Sequence, residues 1–404
     1  MTMTINNEHN KLNVPNLRFP EFQGEWEEYK LEDITAEIGD GIHATPIYDD
    51  NGTFYFVNGN NISEYGITIT ATTQKVTAEE ALRNNASALN SYSILLSING
   101  TIGNVALYKN EPIMLGKSAC YINVSSNINR NYIFYYLMMP KCQFYFTSEL
   151  TGTTIKNLSL KSVRKTKVLL PNANEQSKIA RLFDAINERI ATQNKIIEDL
   201  KKLKCAIIEK HYRQAKLHKY TICDLGVPFS VGSLSKEDLS EEGYECILYG
   251  ELFTTYGCVI NEVKSHTNKI ANTTLSQKGD LLFPSSTTVD AVSLISPSVI
   301  DIPNVILGGD MFGIHIDKKF NAYYLSYYIN LIARKKLAIY AKGSTIIHLH
   351  YKDIAKAQLL LPDLCEQDKI AKCMMAEDAK IKVEEQLLTI LEKQKQYLLR
   401  QMFI

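Results

Sequence analysis

The sequence has no apolar run long enough to cross a lipid bilayer. A membrane-spanning helix needs about 20 consecutive apolar residues, and the longest runs, such as 132–139, are far shorter. The stretch from Met1 to Pro15 is polar and rich in asparagine, and it lacks the basic start and apolar segment of a signal peptide. These absences predict a cytoplasmic protein without a membrane partner.

Paired cysteines at metal-type or redox-type spacing are also absent. The eight cysteines are scattered along the chain, and no two of them form a C-x-x-C motif. That motif is typical of zinc sites and of thiol redox centres. We therefore expect cysteines that are reduced and mostly buried.

The chain has no excess of charge of either sign, because 44 Lys and Arg residues balance 44 Asp and Glu residues. A protein that binds nucleic acid by itself usually carries a net positive charge. If this chain binds DNA, either its positive charge is concentrated on one face or partner chains supply much of the phosphate contact.

The motifs of common catalytic sites are missing. Gly116-Lys117-Ser118 resembles the end of a phosphate-binding loop, but Glu111 stands where that loop needs its first glycine. The sequence contains neither a glycine-rich methyl-donor loop nor the Asn/Asp-Pro-Pro-Tyr segment of adenine methyltransferases. His348 and His350 have no third metal ligand near them in sequence. We therefore expect no catalytic residue, no metal and no cofactor in this chain.

The sequence does contain an internal repeat, in which one pattern of motifs occurs twice. Leu-Leu-Pro, Glu-Gln and Lys-Ile-Ala follow one another at 169–180 and again at 360–371, with an offset of 191 residues between Glu175 and Glu366. The same offset relates Lys204 to Lys395 and Tyr212 to Phe403. Repetition at one offset over so many positions predicts two copies of a globular module, each followed by a C-terminal segment.

Each C-terminal segment has the pattern of a long helix. Asn172 and Asp363 stand three residues before Glu175 and Glu366, which is the spacing of a helix-capping box. Apolar residues then recur at steps of three and four, and neither Pro nor Gly interrupts 175–214 or 366–404. Each helix would contain roughly 40 residues and extend roughly 60 Å. We expect the two helices to pair, although separate packing on two domains is the alternative.

The globular modules, about 14–170 and 220–361, have the short strand-like runs and polar turns of mixed α/β domains. The predicted fold class is α+β: two mixed α/β domains, each followed by a long helix, with the two helices pairing as a coiled coil. The predicted boundaries are a first globular domain at 1–171, a helix at 172–216, a second globular domain at 217–362 and a helix at 363–404.

Short polar stretches in the two modules are candidate binding loops, because their backbone amides and hydroxyls can donate to phosphates or base edges. Gly152-Thr153-Thr154 precedes Lys156, and its counterpart Gly343-Ser344-Thr345 precedes His348. A tight turn before the last strand explains the two stretches equally well. The loop of Gly41, His43 and Thr45 is a further candidate without a match in the second half, and Thr101 corresponds to the Ser286-Thr287 region only after a shift in register.

Taken together, the chain resembles the specificity subunit of type I restriction-modification enzymes. The doubled helix openings, the paired Gly-Thr-Thr and Gly-Ser-Thr stretches, the Gly41–Pro46 loop and the segment 100–104 carry this resemblance, which extends over essentially the whole chain. The second half departs from the pattern at 285–288, where glycines flank the corresponding segment of the first half.

The resemblance implies a non-catalytic subunit with two DNA-reading (target-recognition) domains, which recognises a split site on double-stranded DNA. It implies that the two long helices pair as an antiparallel coiled coil with pseudo-twofold symmetry and hold these domains apart. It implies two modification subunits that bring S-adenosylmethionine and flip an adenine from each half-site, and two restriction subunits that use ATP and Mg²⁺. The candidate DNA-binding residues are Gly41, His43, Thr45, Thr101, Lys117, Gly152, Thr153, Thr154, Lys156, Ser286, Thr287, Gly343, Ser344, Thr345 and His348. The alternatives are a scaffold that binds protein or RNA and, after it, an enzyme active by itself.

Overall fold

A computed structural model describes residues 13–84, 86–152 and 156–404. The chain forms two compact units: one comprises 1–194 together with 386–404, and the other comprises 195–385. Each unit therefore combines a globular α/β part with segments of both long helices.

The globular part of the first unit contains eleven strands and four short helices within the described residues. The strands are β1 (Glu27–Lys30), β2 (Thr35–Asp40), β3 (Phe54–Val57), β4 (Ile62–Ser63), β5 (Gly66–Ile67), β6 (Lys75–Val76), β7 (Ser93–Ser97), β8 (Val105–Leu107), β9 (Ile113–Leu115), β10 (Ala119–Val124) and β11 (Lys167–Leu170). The helices are α1 (Ala78–Arg83), α2 (Arg130–Met138), α3 (Pro140–Ser148) and α4 (Leu160–Arg164). The first long helix, α5 (Ala173–Gln214), follows.

The second unit repeats this order with small additions. Its strands are β12 (His218–Thr221), β13 (Gly226–Ser230), β14 (Leu239–Ser240), β15 (Tyr244–Leu248), β16 (Val259–Ile260), β17 (Ser265–Thr267), β18 (Thr274–Leu275), β19 (Asp280–Pro284), β20 (Ser286–Thr287), β21 (Ser298–Ile300), β22 (Ile306–Gly308), β23 (Met311–Ile316), β24 (Ile347–His348) and β25 (Gln358–Leu361). Its helices are α6 (Glu251–Thr254), α7 (Ala291–Leu294), α8 (Ala322–Tyr328), α9 (Arg334–Ala338), α10 (Tyr351–Ile354) and the second long helix, α11 (Leu364–Gln401).

Strand pairing shows that the two units share one topology. The main sheet has the order β2-β10-β7-β8 in the first unit and β13-β23-β19-β21-β16 in the second. A second sheet contains the parallel pair β3 and β9 in the first unit and the parallel pair β15 and β22 in the second. The strand that opens each module pairs with the strand that precedes each long helix, as β1 with β11 and β12 with β25. The predicted fold class is confirmed.

The loop after β2 also has a counterpart, which the sequence comparison missed. Ile42 forms a parallel bridge to Gly116, and Gly232, after β13, forms the corresponding parallel bridge to Gly308. The loop of Gly41 is therefore matched in the second half by the segment around Gly232, although the two segments share almost no side chains.

The two long helices begin at the predicted caps. The side-chain oxygens of Asn172 and Asp363 accept hydrogen bonds from the amides of Glu175 (3.0 Å) and Glu366 (2.9 Å). Gln176 makes the same bonds in the first unit as Gln367 in the second: each donates to the carbonyl of the preceding proline at 2.8 Å. The doubled Glu-Gln motif is thus a helix-opening device.

The helices pack together antiparallel within each unit. In the first unit the ring of Phe183, near the start of α5, lies 5.6 Å from the ring of Phe403, beyond the end of α11. In the second unit Lys201, towards the end of α5, binds Glu385 of α11 at 2.7 Å. Near the helix ends Ile208 and Leu399 are buried, whereas the preceding residues Ile207 and Leu398 are half-buried. A straight helix drifts relative to a seven-residue repeat, and these ends pack on the globular cores.

The cysteine prediction is wrong in part. Cys120, Cys142 and Cys246 are buried, but Cys205, Cys223 and Cys365 are exposed, and the remaining two are half-buried. Burial raises the pKa of Cys246 to about 11, so this thiol stays protonated at neutral pH. None of the helices in the described part of the chain is both long and apolar enough to span a membrane.

Candidate DNA interface

The first unit brings the loop of Gly41 against the turn between β9 and β10. The amide of Gly41 donates to the carbonyl of Ala119 (3.1 Å). A Cβ atom at Gly41 would lie 2.2 Å from the backbone of Leu115, so only glycine permits this approach. Lys117 occupies the same turn, and its side chain is exposed. The predicted residues Gly41 and Lys117 therefore belong to one cluster of turns.

Thr101 joins this cluster from the turn between β7 and β8. Its hydroxyl donates to the carbonyl of Gly59 (2.9 Å), and the amide of Gly59 donates to the hydroxyl of Ser118 (2.8 Å). Ser118 in turn donates to the side-chain oxygen of Asn58 (2.9 Å). The turns that carry Thr101 and Lys117 are thus tied together by hydrogen bonds through Gly59 and Ser118.

Gly152 lies beside the same turns. The neighbouring Thr151 exchanges two backbone hydrogen bonds with Asn157 (2.9 and 3.0 Å), and Asn157 also forms a backbone bridge to Asn99. Gly152 has a φ of +93°, and Lys156 is exposed. The predicted residues Thr153 and Thr154 lie outside the described residues.

His43 and Thr45 are both exposed in the loop after β2. One ring nitrogen of His43, Nε2, lies 2.9 Å from the carboxylate of Asp40. This contact orients the imidazole, while most of its surface stays open to solvent. Both the His43 ring and the backbone of the loop after β2 are therefore accessible to a ligand.

In the second unit, strand pairing places the predicted residues together. β20 pairs with β24 so that Ser286 lies opposite His348 and Thr287 opposite Ile347. Ser286 is buried, which leaves its hydroxyl inside the turn, whereas Thr287 is half-buried and His348 is exposed. The sequence could not show that Ser286 faces inward, because that depends on the register with a strand sixty residues away.

The Gly-Ser-Thr stretch of the second unit is a tight turn that also faces solvent. The backbones of Lys342 and His348 exchange two hydrogen bonds (2.9 and 2.7 Å) across this turn. Gly343 has a φ of +122°, and a Cβ there would meet the Ile346 carbonyl at 2.0 Å. Ser344 and Thr345 are exposed. The tight turn is therefore confirmed for this stretch, and its role as a binding loop stays a prediction.

These residues border an open depression of about 550 Å³. It is lined by Asp310, Lys342, Gly343, His348, His350, Lys352 and Asp353. The rings of His348 and His350 are stacked, with planes 12° apart. Lys342 binds Asp353 at 2.6 Å, and this contact lowers the pKa of the Asp353 carboxyl. Lysines and imidazoles of this kind can bind phosphates, and the backbone and side-chain acceptors can bind base amino groups.

Asp310 is the residue that sequence reasoning missed most clearly. It lines two further depressions, one beside Gly232 and one beside Phe229, so it lies where three of them adjoin. A signal for it exists: Leu115-Gly116-Lys117-Ser118 aligns with Leu307-Gly308-Gly309-Asp310 at an offset of 192, and both segments join a parallel strand to the main sheet. The change of offset by one residue hid this match.

The described residues contain no group of three or more His, Cys, Asp and Glu side chains that could hold a metal ion. The turn clusters offer hydroxyls, amides, imidazoles and lysines at loop tips. Groups of these kinds can form hydrogen bonds with phosphates and base edges.

Comparison with known proteins decides the family. The type I restriction modification DNA specificity domain matches this chain twice, at residues 23–202 and 222–393. The chain belongs to this family. As a specificity subunit it recognises DNA sequence and is not itself an enzyme. The two matched segments correspond to the two halves of the internal repeat.

Individual relatives agree with this assignment. The chain is 24% identical over 406 residues to a putative type I restriction enzyme MjaX specificity subunit of Methanocaldococcus jannaschii, covering 93% of this chain and 92% of that protein. Its fold is similar to the S subunit of a type I restriction-modification system from M. genitalium, with a TM-score of 0.60 and 17% identity over 97% of this chain and 99% of that one. A chain from a structural study of complex assembly and conformational transition in the type I R-M system has a TM-score of 0.56 and 14% identity, covering 94% of this chain and 97% of that one.

Proposed function

We propose that this specificity subunit recognises a bipartite site on double-stranded DNA, with one half-site read by each unit. This proposal rests on one observation: the two units have the same topology but carry different side chains at equivalent turns. The turn before β10 presents Lys117 and Ser118, whereas the turn before β23 presents Gly309 and Asp310. One scaffold with two different reading surfaces fits a target made of two different short sequences.

The paired helices α5 and α11 would serve as the spacer between the half-sites. Each has a hydrogen-bonded opening and continues for 42 and 38 residues without interruption. A helix of this length is stiff over the distance of several base pairs. The unread gap of the DNA target would therefore have a fixed length.

Two modification subunits and two restriction subunits would complete the enzyme. The modification subunits would bring S-adenosylmethionine and methylate an adenine in each half-site, and the restriction subunits would bring ATP and Mg²⁺. The balanced charge of this chain supports such sharing, because 44 cationic residues are matched by 44 anionic ones. Partner chains would then supply much of the phosphate contact that DNA affinity requires.

The test is to map methylated adenines in DNA from cells that contain this chain and its modification subunits. We expect a single split motif with a constant gap, and its disappearance when the gene for this chain is deleted. The purified chain given DNA, Mg²⁺ and S-adenosylmethionine should neither cleave nor methylate. Methylation without a split motif, or binding of the assembled complex to RNA or protein instead of duplex DNA, would reject the proposal.

A further inference from the structure

We propose that Asp310 reads a base in the half-site of the second unit by accepting a hydrogen bond from an exocyclic amino group. The donor would be cytosine N4 or adenine N6 in the major groove. This inference rests on the proposed function, since it needs the second unit to contact DNA. It adds a specificity-determining residue and the chemical class of base that it recognises.

The first observation is that the carboxylate of Asp310 is unused in the described protein. The globular part of the second unit, 218–361, contains eight aspartates. Among its described residues, seven of them accept hydrogen bonds with their side chains and so close turns, cap helices or bind cations. These seven are Asp224, Asp238, Asp280, Asp290, Asp301, Asp317 and Asp353.

Asp310 differs from these seven aspartates because only its backbone, and not its side chain, forms a hydrogen bond within the described protein. Its carbonyl accepts a hydrogen bond from the amide of Ser285 at 2.7 Å, and the preceding Gly309 adopts a φ of +87° to form the turn. The side chain of Asp310 is exposed. The turn is therefore built without the carboxylate, which leaves that group available to a ligand.

The second observation is the setting of this carboxylate. Lys342, His348, His350 and Lys352 line one depression with Asp310, and Lys269 lines another. A carboxylate repels phosphate oxygens, so Asp310 would weaken binding of this surface to the DNA backbone. A surface that contacted phosphates alone would therefore not favour an aspartate here. The DNA groups that can donate to it in the major groove are the amino groups of cytosine and adenine. Asp353 and Asp238 also line these depressions, where they pair with Lys342 and Lys269, so the surface carries charges of both signs. A carboxylate without such a partner, next to lysines and imidazoles, indicates base reading flanked by phosphate contacts.

The third observation comes from the first unit, where the side chain at the equivalent position of the turn already has hydrogen-bond partners within the protein. Ser118, at the position of Asp310, accepts from the Gly59 amide (2.8 Å) and donates to Asn58 (2.9 Å). Its hydroxyl is thus engaged within the protein. A serine at this turn is compatible with the fold, which makes Asp310→Ser the natural test variant.

The experiment uses the full chain assembled with its modification subunits. Asp310→Ser and the isosteric Asp310→Asn are compared with Asp317→Asn, a control at the opposite end of β23, where the carboxylate only accepts from the Lys319 amide (2.9 Å). Each complex selects from a library of randomised duplexes. Binding to the selected duplex and to an unrelated duplex is then measured at one salt concentration.

For Asp310→Ser we expect the preference at one base pair of one half-site to fall at least about 5-fold, the lower end of one base contact. The other half-site should be unchanged. Affinity for the unrelated duplex should stay the same or rise, because a negative charge near DNA has been removed. Asp310→Asn should move the preference at that pair towards adenine, since an amide pairs with adenine N6 and N7.

The identity of the affected base in the wild-type motif distinguishes cytosine from adenine as the donor. An unchanged motif in both Asp310 variants overturns the inference, and so does an equal loss of affinity for all duplexes in the isosteric Asp310→Asn. If Asp310→Ser fails to fold, Asp310→Ala decides, because it also removes the acceptor, whereas Asp310→Asn would keep a preference for adenine. A wild-type complex that enriches no split motif rejects the proposed function instead, so the two failures are distinguishable.

Discussion

Glu175 follows the cap of the first long helix and also forms a buried ion pair, which its counterpart in the second half of the repeat lacks. Its carboxylate is fully buried and receives two hydrogen bonds from the Arg18 guanidinium, at 2.7 and 2.8 Å. Arg18 also donates to the carbonyls of Gln23 and Gly24. The counterpart Glu366 is only half-buried and binds Lys369 on its own helix. Both glutamates follow a capping residue, but only Glu175 fixes the segment that precedes β1.

We therefore expect Glu175→Ala to destabilise the first unit by about 3 kcal/mol, because it leaves the Arg18 guanidinium without its partner. Glu366→Ala should cost less than about 1 kcal/mol, the range of an exposed ion pair. The measurement is urea unfolding followed by far-UV circular dichroism, which reports both units, and by fluorescence of Trp26, the single tryptophan, which is buried in the core of the first unit. Equal effects of the two substitutions would contradict this account.

At the scale of elements, a polar contact fixes the pairing of the long helices in the second unit. Lys204 of α5 binds the Asp378 carboxylate of α11, and the hydroxyl of Tyr327 donates to the same carboxylate at 2.6 Å. The ammonium of Lys204 also lies 4.8 Å from the centre of the Tyr327 ring. The side chain of Lys204 is 13% exposed and that of Asp378 is 37% exposed, so water screens this contact only in part. A shift of either helix by one residue would break the contact.

The equivalent lysine of the first unit has a different partner. Lys395, 191 residues after Lys204, is almost fully buried and binds Glu64 at 2.8 Å, and Glu64 lies in the turn between β4 and β5. The position equivalent to Asp378 is Asn187, which carries no charge. Both units thus have a largely buried lysine at the same helical position, and a carboxylate from a different part of the fold pairs with it in each unit.

We predict that a double-mutant cycle with Lys204→Met and Asp378→Asn gives a coupling free energy of about 1–3 kcal/mol, as for hydrogen bonds to charged groups. The matched cycle with Lys201→Met and Glu385→Gln tests an exposed pair on the same two helices, with side chains 58% and 49% exposed. It should give less than about 0.5 kcal/mol. Chemical unfolding at constant pH measures both cycles, and similar coupling energies would show that burial does not matter here.

At the scale of the whole molecule, the proposed spacer role makes a geometric prediction. Residues 195–201 and 386–392 are equivalent heptads, one on each long helix. Deleting both removes about 10 Å from each helix, at 1.5 Å per residue, which corresponds to about three base pairs of B-DNA. We expect the gap between methylated adenines to shorten by about three base pairs, or methylation to be lost, while the bases of each half-site stay the same.

Mapping methylated adenines in cells that carry the shortened chain measures the new gap. Deleting only one of the two heptads is the control, because it shortens one helix by about 10 Å while its partner keeps its length, and this mismatch should abolish methylation. A shortened chain that methylates the original motif with its original gap would show that the helices do not set the spacing.

The sequence by itself determined the duplicated plan, the two long helices with their Asn172 and Asp363 caps, and the family. These features depend on residues that are near one another in the chain, where periodicity and capping chemistry act locally. The short strand-like runs that predicted mixed α/β modules are local signals of the same kind, and the modules do contain short strands such as β7 at Ser93–Ser97.

Only the tertiary structure decided which side chains meet. Arg18 reaches Glu175 across 157 residues of sequence, and Ser286 turns inward because β20 pairs with β24. Asp310 and His348, which are distant in sequence, line the same depression. Such contacts depend on the path of the backbone and on register, and a shift of one residue sends a side chain to the opposite face of a sheet. For that reason the scaffold was predictable from the amino-acid pattern, whereas the make-up of the reading surface was not.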